Sequence, residues 1–198
     1  AAVDALRKAH ELEKSQASLT RLMTAVATHT SPKAAIELGD AWLKRNPGDL
    51  AVRSAVADHN LRQRDFAAAR RQYEAILKQR PNHAETLNNL ANVLMETRDP
   101  GAVEMAERAY RVDPRNPMLM DTAGWAHHLA GNTARALQLL RDARLRAPDV
   151  PDIRYHLGAV LAKTGRTAEA REELNAALRA NVNSGAAQEA RKLLATLN

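Results

Sequence analysis

Seven histidines and no cysteine bound the chemistry this 198-residue chain can carry. His127 and His128 are adjacent, so on a helix their side chains point about 100° apart, and no His-Glu-x-x-His pair offers two imidazoles to one metal ion. Asp121, His128 and His156 are the acid and imidazole groups that could converge, and no ligand spacing singles them out. Thiol catalysis, disulfides and cysteine-based zinc sites are excluded. There is no phosphate-cradling glycine loop and no Gly-x-Ser-x-Gly nucleophile turn. The expectation is a non-enzymatic chain with no catalytic residues, no metal and no cofactor. What stands out instead is a set of recognition residues. Asn88 and Asn92 can donate to and accept from an extended backbone. Trp125 and Tyr155 offer flat apolar surface with a polar handle, and Met95 and Met118 an adaptable one.

The elements that hold these residues must be helical. Apolar residues make up 45% of the chain, enough for a sizeable core, yet only six residues are aromatic and alanine dominates. That balance favours closely packed helices over a β-sandwich. No apolar run approaches the roughly 20 residues needed to span a bilayer, and residues 1–14 are charged and lack a signal-peptide pattern. The chain begins without methionine, which reads as a piece of a longer protein whose targeting segment, if it has one, lies elsewhere. The net charge of +6 comes from 29 Lys and Arg against 23 Asp and Glu.

Prolines at 47, 81, 114 and 148 are separated by 34, 33 and 34 residues, and the next step of 34 lands on Val182. Such spacing is the period of a helix-turn-helix repeat. Read in windows 16–49, 50–83, 84–116, 117–150 and 151–184, the position twelve before each proline slot is Ala35, Ala69, Ala102, Ala136 and Ala170. The eighth window position gives Met23, Ala57, Ala91, Gly124 and Gly158. Each window therefore reads as two helices in close contact, the second stopped by proline, which lacks an N–H and disfavours helical geometry in its predecessor. Gly131 and Gly165 fit left-handed helix ends, while Arg64-Asp65 and Arg98-Asp99 fill the equivalent turns without glycine. Residues 1–15 read as the second helix of a truncated preceding repeat and 185–198 as a polar-faced capping helix, with the natural end near Asn198, all in one continuous domain.

The aligned alanines, the Ala123-Gly124 and Leu157-Gly158 pairs, and Leu161, Ala170, Leu174 and Ala177 resemble the tetratricopeptide repeat (TPR) pattern across nearly the whole chain. Arg53 and Asn60 depart from it, sitting in slots usually apolar or aromatic, which predicts less regular packing in the early repeats. The resemblance implies an all-α, right-handed solenoid of about five helix pairs. It also implies that window positions 2, 5, 9 and 12 face a concave groove holding Asp58, Asn88, Asn92, Met95, Met118, Asp121, Trp125, His128 and Tyr155. Trp125 either lines that groove or plugs the space between repeats, and Asn88 and Asn92 either meet a ligand or are solvated. The lysines and arginines with which some of these domains grip a partner's terminal carboxylates are missing from positions 5 and 9. Asp58, Glu85, Asp121 and Asp152 lie nearby instead. The partner expected is a protein or peptide with a polar or basic segment.

The arginines fall mainly on the second helices, interspersed with Glu104, Glu107, Glu169, Glu172 and Glu173. That is the pattern of a solvated mixed-charge face, whereas single-stranded nucleic acid wants a basic stripe with stacking aromatics. No nucleic-acid partner and no membrane insertion by this segment are expected. Nucleic-acid binding through the arginines remains a second alternative, behind a structural or self-association module of a larger protein. The runs Leu87-Asn88-Asn89-Leu90-Ala91, Asp121-Thr122-Ala123-Gly124-Trp125 and Ile153-Arg154-Tyr155-His156-Leu157 are similar to the C-terminal repeats of TPR lipoproteins in bacterial exosortase (PEP-CTERM) systems. That group is associated with exopolysaccharide production and envelope protein sorting, so the resemblance implies a periplasmic or outer-membrane-associated address in preference to the cytoplasm.

Overall fold

Helix boundaries follow the local chemistry of the chain. The computed structural model describes residues 2–197, and among them there are twelve helices and no strand. These are α1 (Ala2–Glu13), α2 (Gln16–His29), α3 (Pro32–Arg45), α4 (Leu50–Arg62), α5 (Phe66–Gln79) and α6 (Ala84–Glu96). They are followed by α7 (Ala102–Val112), α8 (Pro117–Leu129), α9 (Thr133–Arg146), α10 (Pro151–Lys163), α11 (Thr167–Ala180) and α12 (Gly185–Leu194). Ser15, Ser31, Asp49, Asp65, Asn116 and Ser184 cap their helices with a side-chain oxygen that accepts from a first-turn N–H. Pro32, Pro117 and Pro151 open theirs, where the missing N–H costs nothing. Pro47, Pro81, Pro114 and Pro148 each lie two residues beyond a helix end.

Four of the five turns between paired helices use a left-handed residue, the α2–α3 turn at Thr30 and Ser31 being the exception. Gly131 (φ +82°) and Gly165 (φ +75°) supply it without strain, but Arg64 (φ +59°) and Arg98 (φ +55°) adopt the same conformation with a side chain. Geometry thus overrides residue preference at two of the four turns.

The chain forms two compact units, one up to Thr97 and one from Arg98. In the first, successive helices from α1 to α6 pack on each other and α2 also meets α4. One cluster there joins Leu19, Leu22, Met23 and Val26 to Ala35, Leu43, Val52 and Val56. Asn60, in an apolar slot of the pattern, is 6% exposed and donates Nδ2–H to the Val56 carbonyl at 3.0 Å. Arg53 donates to the Pro47 carbonyl (2.8 Å) and to Gln72 Oε1 (2.7 Å). The second unit repeats this tie one hundred and one residues on, with Arg154 donating to the Pro148 carbonyl and to Glu173 Oε2, both at 2.6 Å. Both polar residues of the first unit are thus tied in by hydrogen bonds, although Arg53 Nε is buried without a partner among the described residues.

In the second unit α7 to α12 pack in succession, with α8 on α10 and α10 on α12. Its helices approach closely where the sequence has glycine. A Cβ on Gly124 would lie 2.7 Å from Leu140 Cγ, and one on Gly158 2.8 Å from Leu174 Cγ. The five period-marking alanines are all buried across the two units, at 7% exposure or less.

Candidate partner-binding groove

Steps of three and four residues place Met118, Asp121, Trp125 and His128 on one stripe of α8. The structure gives them different settings. Met118 is 46% exposed, Asp121 only 4%, and Trp125 and His128 are half-buried. From α10, His156 Nδ1 lies 2.9 and 3.0 Å from the two carboxylate oxygens of Asp121. The carboxylate can only accept, so Nδ1 carries the donated proton. Anchored in this way, the His156 ring stacks on Trp125 with centroids 4.2 Å apart and planes at 18°. His128 stacks on the same indole at 4.8 Å and 27°. Tyr155 meets Trp125 tilted, at 6.0 Å. Four rings from two helices thus form one cluster.

Beside the cluster opens a pocket of about 610 Å³, within the size range of ligand sites. Its walls are Trp125 and His128 from α8, Tyr155, Ala159, Ala162 and Lys163 from α10, and Glu189, Lys192 and Leu193 from α12, with Thr196 and Leu197 beyond. Lys192 pairs with Glu189 at 2.6 Å. Burial, then the charges of Lys163 and His156, hold the His128 pKa below its ordinary value, so the ring is neutral at neutral pH. Its Nδ1 is buried and has no hydrogen-bond partner among the described residues. Burial, then Glu189, pushes the Tyr155 hydroxyl up, so it keeps its proton.

The remaining residues singled out in the sequence belong to the first unit. Asp58 on α4 accepts from the hydroxyl of the fully buried Tyr73 at 2.7 Å. Burial first, then that bond, pushes the phenol's pKa far up. Asp58, Ser54, Arg80, His83 and Glu85 line a smaller cleft of about 380 Å³. Asn88, Asn92 and Met95 are half-buried on α6, with Asn88 Oδ1 buried and unpartnered among the described residues. Asp121, Trp125, His128 and Tyr155 come together in one unit, while Asp58, Asn88, Asn92 and Met95 lie in the other.

Sequence reasoning named His156 only as a group that could converge with Asp121 and His128, which it does by bonding Asp121 and stacking on Trp125, and it missed the contributions of Lys163 and α12 to the pocket. Among the described residues no three His, Cys, Asp or Glu side chains are placed to hold a metal ion, and no helix is long and apolar enough to cross a membrane. His127, adjacent to His128, serves packing. Its Nε2 donates to Glu107 Oε1 at 2.9 Å, which also accepts from Arg135 Nε at 3.1 Å.

Paired helices repeating at this period, with a ring-lined pocket on the first helices of two pairs, define a helical-repeat interaction scaffold. Two tetratricopeptide repeat family models match residues 55–117 and 127–197, together more than half of the chain. The chain belongs to the tetratricopeptide repeat family. It is 33% identical over 121 residues to a TPR repeat-containing protein of Pseudomonas aeruginosa, a match covering 59% of this chain and 20% of that protein. The chain thus spans about a fifth of that curated relative's length. Among solved structures it is similar to PilW, a widely conserved type IV pilus biogenesis factor (TM-score 0.75, 18% identity, 92% of this chain and 93% of that one). It is also similar to a thermophilic TPR protein of Thermus thermophilus (TM-score 0.72, 22% identity, 92% and 98%). A third likeness is to YrrB, a TPR protein with an unusual peptide-binding site (TM-score 0.67, 18% identity, 96% and 99%). At these identities the likeness carries the fold alone.

Proposed function

We propose that the chain captures a peptide segment of a partner protein in the pocket beside Trp125. The observation that carries this reading is the four-ring cluster at the wall of an open cleft of about 610 Å³. An indole held by two stacked imidazoles is rigid before the ligand arrives, and a rigid aromatic anchor loses little entropy on binding. Ala159, Ala162 and Leu193 offer apolar surface for a side chain. The cleft at Asp58 and Glu85 in the first unit, with Asn88 and Asn92 on α6, supplies a further contact region for the same or another segment. The runs that resemble exosortase-system lipoproteins support placing this scaffold in a bacterial envelope assembly, with the chain as one part of a longer protein.

The test is affinity capture from envelope extracts with wild type and Trp125→Ala, followed by titration of the recovered partner. Loss of an aromatic anchor should weaken binding by about 2 kcal/mol or more, roughly 30-fold. Equal capture by both proteins, with helix content unchanged, rules out this pocket as the main site.

A further inference from the structure

We infer that the pocket beside Trp125 selects a segment presenting an acidic side chain next to an apolar one. The inference rests on the peptide-binding reading above, and it reverses the polar or basic preference expected from the sequence. A cationic ligand would favour an uncovered indole face or an unpaired carboxylate, and at Trp125, Asp121 and Glu189 these groups already have partners. The π surface of Trp125 is engaged by His156 at 4.2 Å and His128 at 4.8 Å, which competes with a cation–π contact. Asp121, the acid that suggested a cationic partner, is 4% exposed and holds His156. Glu189 is already paired with Lys192.

Hydrogen-bond donors and positive charge remain for the ligand. The stacked indole keeps its edge and its Nε1–H, which has no hydrogen-bond partner among the described residues, and the Tyr155 hydroxyl is likewise a proton-bearing group without one. Lys163 is exposed at the pocket wall and makes no ion pair among the described residues. The Glu189–Lys192 pair is solvent-exposed, with side-chain exposures of 48% and 72%, so water screens it and it holds weakly. The pair cancels its own charge, so Lys163 leaves the wall net positive, and an incoming carboxylate can pair with Lys163 while Leu193 and Ala159 take the neighbouring apolar side chain. The match is one of charge complementarity over an apolar floor.

The experiment is selection of a random twelve-residue peptide display library on the intact protein, repeated on Trp125→Ala and Lys163→Glu. Peptides retained by wild type and lost on Trp125→Ala should be enriched in Asp or Glu beside Leu, Phe or Ile. Their synthetic versions should bind Lys163→Glu roughly five- to tenfold more weakly and bind wild type less well as salt rises. Enrichment in Lys and Arg, or peptides indifferent to Lys163→Glu, overturns the acidic preference and leaves the pocket standing. Retention that does not depend on Trp125 overturns the pocket and the preference together.

Discussion

Replacing Gly124 by alanine sets two known effects against each other at one site. In a helix interior the change gains about 1 kcal/mol of propensity. The new methyl, however, would sit 2.7 Å from Leu140 Cγ and 3.4 Å from the Ala136 carbonyl oxygen, where carbon atoms ordinarily rest about 3.5–4.0 Å apart. Leu140 is 0% exposed, so it cannot relieve the contact by swinging into solvent. Overpacking of this kind costs about 1–3 kcal/mol, so Gly124→Ala should destabilise by about 1 kcal/mol net. Leu140→Ala alone should cost about 2–5 kcal/mol through the cavity it leaves. In the double variant the methyl occupies part of that cavity, the clash disappears and the propensity gain remains. Gly124→Ala/Leu140→Ala should therefore be more stable than Leu140→Ala by about 1 kcal/mol, a reversal of sign with coupling of roughly 2 kcal/mol. The assay is urea denaturation followed by far-UV circular dichroism and by Trp125 fluorescence in a Trp42→Phe background, which reports on the second unit. Gly158 and Leu174 form an internal replicate. Stabilisation by Gly124→Ala in the wild-type background, with no coupling to Leu140, would refute the close helix approach.

Three other outcomes follow from the geometry. Tyr73→Phe removes the donor from Asp58 and should cost about 1.5–3 kcal/mol, a loss that a prior Asp58→Ala change should shrink to the part carried by Asn89 when denaturation midpoints are compared. Arg98→Gly relieves a left-handed side chain at φ +55°, so it should stabilise by about 0.5–1 kcal/mol and raise the melting temperature by about 1–4 °C, whereas Gly131→Ala should lower it. Glu107 is pushed up by burial, but hydrogen bonds from His127 and Arg135 outweigh this and hold its pKa below the ordinary 4.5. Its contribution is thus present above that value and is lost as pH falls through the folded-state pKa, so the stability difference between wild type and Glu107→Gln should be largest near neutrality and shrink below pH 4.5, as read from urea midpoints across the pH range.

Features encoded over a few residues were legible in the sequence. The proline period, the serine and aspartate caps and the five aligned alanines all act within one helix or one helix pair, and they point to a helix-pair fold without further help. Arg64 and Arg98 show the limit of that reasoning, because their turns adopt the left-handed conformation even though glycine is absent. The pocket was harder to read. Asp121 has the spacing of a groove residue, but whether its carboxylate meets a ligand depends on a ring thirty-five residues away that covers it. Lys163 and Glu189 read as ordinary surface charges until α10 and α12 are packed together. Side-chain type says what a residue can do, and its tertiary neighbours decide what is left for it to do.

The most direct test of the peptide-binding reading uses the two indole N–H resonances of the protein. Trp42 Nε1 donates to Asp49 Oδ2 at 2.7 Å and serves as the reference, while the Trp125 indole lines the pocket. On titration with a peptide recovered from the display selection, the Trp125 resonance should shift to saturation with the Trp42 resonance unmoved. A Trp125 resonance that stays in place while the peptide demonstrably binds would contradict the account.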